Sequence, residues 1–167
     1  MKDRVLKGTG ILQAMLTMDA VALASLLAAA WIVAHPDPLA RDPAAKHVAW
    51  GLGAALLNLV ARCVAIFYML ASGRAVKDLV AAHGLDPAYV VRAKKIKRGV
   101  ETLATLALVP VMFAAINGGA VRPDGSGAGA HAWWSWASIA AAAICLAVDV
   151  RAGLKNYALL REVDAKV

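Results

Sequence analysis

Large side chains and signature motifs are both scarce in this sequence. Aromatic residues make up only 6% of the 167 and charged residues 17%. A soluble core of this size would lack the bulky side chains it needs, while 61% of the chain is hydrophobic and the mean hydropathy is +0.64. That combination excludes an ordinary soluble domain and points to the membrane. Only two cysteines occur, Cys63 and Cys145, each inside an apolar run and without a CxxC partner, so disulfide and redox motifs are excluded. There is no GxSxG, Walker A, GxGxxG or HExxH pattern, so no enzyme signature is present.

The apolar residues fall into four runs, at 11–34, 48–72, 99–116 and 132–153. Each is close to the ~20 residues that cross a bilayer. The first follows Lys2, Arg4 and Lys7 as a signal peptide would. It is longer than an h-region and contains Asp19, so it reads as an uncleaved helix. The expected fold is an all-α integral membrane protein: a four-transmembrane-helix bundle, forming a single membrane domain over residues 1–167. Small residues four apart, such as Ala24 with Ala28, Gly51 with Ala55 and Ala137 with Ala141, suit close helix packing within one chain or between chains.

Charge placement predicts the orientation. Apart from Arg62, fourteen Lys and Arg residues lie before the first run, in the second loop or from Arg151 onward, and three lie in the other two loops. The positive-inside rule then gives an N-in/C-in topology, as in a bacterial cytoplasmic (inner) membrane. All five tryptophans, Trp31, Trp50, Trp133, Trp134 and Trp136, fall at the opposite ends of the runs, as an outer aromatic belt would. Breakers at His35-Pro36-Asp37-Pro38, Asn117-Gly118-Gly119 and Pro123 to Gly127 mark short outer loops.

Residues 73–98 read as a cytoplasmic helical hairpin. Val76, Leu79, Val80 and His83 continue the second helix, Gly84-Leu85 breaks it, and Asp86 as N-cap with Pro87 at N1 starts the third. Leu154, Tyr157, Leu160 and Val163 extend the fourth helix similarly, so helices two, three and four all carry cytoplasmic extensions. Arg92, Lys94, Lys95, Lys97 and Arg98 form a basic surface for anionic lipid headgroups or a docking partner. The +7 net charge is thereby explained by topology, and with no aromatic platform beside it nucleic acid is not expected as a partner.

Two constellations could carry chemistry. The first is ionisable: Asp19, Asn58, Arg62, Glu101 and Asp149, all within or at the edge of the runs. Charge at membrane depth is costly, so such residues turn inward and pair. Asp19 with Arg62 is the expected pair, steadied by Asn58 one turn away. Glu101 and Asp149 are read either as the mouth of a cation pathway or as interfacial partners of Arg98 and Arg151. The second is histidine: His35, His47 and His131 gather at the outer ends of helices one, two and four, where they could hold a b-type haem, or zinc or copper with Asp37 or Asp42. Three functions follow: a non-enzymatic subunit or scaffold of a larger membrane assembly, associating with other subunits or itself; a haem- or metal-binding electron-transfer subunit; or a small oligomeric proton or ion transporter or channel.

Overall fold

A computed structural model describes the chain apart from residues 1, 36–41 and 122–124. It consists of four helices, α1 (Lys2–Ala34), α2 (Pro43–His83), α3 (Ala88–Gly119) and α4 (Ala128–Asp164), with no strand among the described residues. All four are long and apolar enough to cross a membrane, as in a multi-pass membrane protein. The breaker segment 36–38 and the Pro123-Asp124 pair lie outside the described residues.

Each helix packs against its neighbours in the chain and α1 closes against α4, giving an up-down bundle. A narrower contact joins α2 to α4 across the middle, whereas among the described residues the α1 and α3 backbones stay apart. Inward residues recur every three or four positions, as in Leu12, Met15, Asp19 and Ala22 of α1 or Ser138, Ala142, Cys145, Asp149, Ala152 and Asn156 of α4. This is the stripe that buries one face of each helix. One apolar cluster contains Leu12, Met15, Ala65, Tyr68, Met69, Val100 and Ala152. A second, with Val76, Val80, Ala93, Leu159 and Val163, closes the end where α2 meets α3.

Local chemistry sets the helix ends. The Asp42 carboxylate accepts a hydrogen bond from the Ala45 amide at 2.9 Å, and Pro43 opens α2. Gly84 ends that helix in the left-handed region at φ 61°, a conformation glycine adopts without a Cβ clash. The start of α3 follows the expected chemistry. The Asp86 carboxylate accepts from the Ala88 amide at 2.8 Å, two residues on, as an N-cap side chain does, and Pro87 already has helical φ −56° and ψ −18° at the position where a missing amide costs nothing.

Gly153 leaves room for a side chain of α1 against α4. A Cβ at this position would stand 2.4 Å from Leu12 Cδ1, so a larger residue requires the Leu12 side chain to shift. Asp19 lies two turns beyond Leu12 on the same inward stripe of α1.

Candidate functional site

Asp19, Arg62 and Asp149, from α1, α2 and α4, form one buried cluster. The Arg62 guanidinium donates to the Asp19 carboxylate through Nη2 and to Asp149 Oδ2 through Nη1, the latter at 2.7 Å. None of the three is more than 2% exposed. Asn58, one turn before Arg62, is equally buried. Asp19 Oδ2, Asn58 Nδ2 and Arg62 Nε make no hydrogen bond within the protein. Cys145, one turn before Asp149, directs its thiol to the Leu103 carbonyl of α3 at 3.9 Å.

Asp19 therefore meets Arg62 as its residue type demanded, but Asp149 departs from both readings made of it. It is neither at a mouth nor paired with Arg151; it is the second carboxylate on Arg62. The reason is helical phase. Asp149 follows Ser138, Ala142 and Cys145 on the inward stripe of α4, whereas Arg151 lies on the exposed side. Glu101 does not join the cluster either. It is partly exposed and pairs with Lys97 at 3.4 Å, one turn away on α3, rather than with Arg98.

Charge counting gives the cluster its chemistry. With both carboxylates ionised, two negative charges face one positive charge inside a low-dielectric core. A net charge buried there is expensive enough that a proton or cation joins it. Two carboxylates sharing one partner are the arrangement in which one proton is held between alternative sites.

A second pair lies at the end where α2 and α4 begin. His47 Nε2 and His131 Nε2 stand 3.3 Å apart, both partly buried, with the rings edge-on. The His131 Nδ1 donates to the Ala114 carbonyl of α3 at 2.9 Å. His35 does not join them: it stacks on Trp31 with ring centroids 3.7 Å apart. Asp42 is committed to its cap, and Asp37 lies outside the described residues. Among the described residues no group of three or more His, Cys, Asp or Glu side chains gathers as a metal cage. Two axial ligands of haem need roughly 4 Å between nitrogens, twice a metal–imidazole bond of about 2 Å, so haem between these two would require the helices to part.

A third polar contact, Asn156 Nδ2 to the Tyr68 hydroxyl at 3.3 Å, lies beyond the cluster toward the other end. The His pair, the Arg62–Asp149 pair and the Tyr68–Asn156 pair all cross the same α2–α4 diagonal. On α4 the inward polar series is His131, Ser138, Cys145, Asp149 and Asn156, which spans about 37 Å at 1.5 Å per residue. The sequence signal for this seam was the seven-residue step from His131 to Ser138 to Cys145, which, taken with Asp149 and Asn156, marks one face.

The basic residues remain on the surface. Arg92 pairs with Glu162 of α4 at 3.0 Å and lies 5.7 Å over the Tyr89 ring. Lys94, Lys95 and Arg98 are exposed, and Lys97 is partly covered. Exposed ion pairs contribute little, about 0–1 kcal/mol, so this surface adds charge rather than stability.

Comparison of the chain with family models, with curated proteins and with solved structures finds no match.

Proposed function

We propose that this chain is a small proton-translocating membrane bundle, with Asp19, Arg62 and Asp149 as its proton-holding centre. The observation that carries the reading is the excess of one carboxylate over cations in a cluster sealed from all sides. One carboxyl group holds the proton while the other pairs with Arg62. Transfer between them exchanges the roles and returns the centre to the same charge, so no oxidant or counter-charge is consumed. The diagonal series of His47, His131, Ser138, Asn58, Tyr68 and Asn156 supports a route on either side.

The orientation follows from charge. The end bearing Arg92, Lys94, Lys95 and Arg98 faces the cytoplasm of a bacterial inner membrane and meets anionic headgroups. The tryptophan end faces outward. Trp31, Trp50, Trp133 and Trp136 are each at least 49% exposed, as anchors in a lipid interface are. The cluster then lies about 18 Å along α2 from Trp50, a little past the middle of a ~30 Å hydrocarbon core. The extensions of α2, α3 and α4 reach into the cytoplasm as a charged collar.

Reconstitution tests the function. Proteoliposomes given a potassium diffusion potential should take up protons faster than protein-free vesicles, and Asp149→Asn should reduce uptake to the protein-free rate. Uptake in the parent no faster than in empty vesicles would sink the proposal. Topology has its own test. Cysteine placed at Ser126 should react with an impermeant maleimide from the periplasm, and one at His83 only after the membrane is opened. Cys63 and Cys145 lie within membrane-crossing helices, the first on the bundle surface and the second buried, so neither competes for an aqueous reagent.

A further inference from the structure

The His47–His131 pair sits apart from the charge cluster and has a geometry of its own. His131 donates from Nδ1 to the Ala114 carbonyl, which leaves the lone pair on Nε2 directed at His47. The enclosed His47 Nδ1 makes no hydrogen bond within the protein. In the tautomer with the proton on that nitrogen, both Nε2 lone pairs would converge across 3.3 Å. Two such lone pairs repel unless a cation stands between them.

We infer that His47 and His131 form a two-histidine site for a zinc-class divalent ion. Two nitrogens, each about 2.0–2.1 Å from a tetrahedral ion, stand roughly 3.3–3.4 Å apart along the tetrahedron edge. The observed 3.3 Å matches that edge. Imidazole nitrogen is a suitable donor for this class of ion, and a backbone carbonyl on the far ring nitrogen is the usual support for a metal-binding histidine. Gly118 makes room for the arrangement. A Cβ there would meet His131 Cε1 at 2.9 Å and Nδ1 at 3.0 Å, pushing the ring off the Ala114 carbonyl. Two histidines fill half of a tetrahedron, so water or a small anion completes the shell and the ion is exchangeable.

Zinc titration of the full chain in mild detergent, stripped of metal beforehand, provides the test. One ion per chain should bind, and cobalt in its place should give the intense visible bands of a tetrahedral site. His47→Ala and His131→Ala should each abolish binding, His35→Ala should leave it intact, and Gly118→Ala should weaken it roughly tenfold or more. Zinc should raise the melting temperature of the parent and not of His131→Gln, a variant that keeps a hydrogen-bonding side chain. No saturable binding, or binding unchanged in both alanine variants, would overturn the inference. These readouts need no proton flux, so this site and the charge cluster stand or fall separately.

Discussion

Replacing Arg62 with alanine should destabilise the bundle by about 3–5 kcal/mol, the range for removing one member of a buried ionic group. Two carboxylates would be left together in the core with no cation. They can relieve the penalty only by binding protons, so the loss should shrink as the pH falls. Unfolding followed by helicity in mixed detergent micelles, at neutral and acidic pH, measures both effects. The informative companion is the apolar triple variant, Asp19→Leu with Arg62→Met and Asp149→Leu. Replacing a whole buried ionic group with well-packed apolar residues is often neutral or stabilising. This variant should therefore fold about as well as the parent while conducting no protons. If it folds and still conducts, the cluster is only a clasp; if Arg62→Ala costs nothing, the three residues are not coupled as the geometry requires.

The second large effect is expected at Gly153. A leucine there would drive its side chain into Leu12 and Met15, which face it from α1 at 2.4 Å and 3.7 Å even from the first added carbon. Overpacking of this kind costs about 1–3 kcal/mol, and a side chain as large as leucine is expected to push α1 away from α4 once Leu12 and Met15 have shifted. Movement of α1 withdraws Asp19 from Arg62, so Gly153→Leu should lower proton uptake as well as stability. Adding Leu12→Ala to the same chain should restore part of both. A stability loss without any change in uptake would mean that Asp19 reaches its partner by some route other than this close approach.

Both effects rest on residues that the sequence revealed only in part. Asp19 and Arg62 were legible because a charge inside an apolar run has so few ways to be satisfied. Asp149 was not, because it lies near the end of its run, beside Arg151, where an interfacial partner was available. Only helical phase relative to Cys145 and Ser138 separates the two possibilities. The four helices were legible from length and hydropathy, and so were the end of α2 before Gly84 and the continuation of α4 through Val163. The starts of α1 and α4 were not: α1 begins at Lys2 rather than at residue 11 and α4 at Ala128 rather than at 132, because charged and small residues sustain a helix where hydropathy is low. Asp86 was recognised as the acceptor that starts α3, with Pro87 at the first position where its missing amide costs nothing. Gly118 was read with Asn117 and Gly119 as a loop breaker, yet it lies within α3, and Gly153 gave no signal, since a glycine's contribution here is the space it leaves for a residue far away in the chain.

The cluster also has a consequence for how the protein is made. The chain enters the membrane in order, so α1 arrives carrying Asp19 with no partner, and α2 follows with Arg62. The first two helices are then an electrically balanced hairpin that can leave the insertion machinery together, each relieving a penalty of about 2.5–3.5 kcal/mol that the other would meet alone. The third helix adds nothing to this balance. Asp149 comes last, and its arrival turns a neutral pair into a centre with one negative charge too many. On the proposed function, the capacity to hold a proton would arise only when the final helix docks, so a half-built chain would not leak.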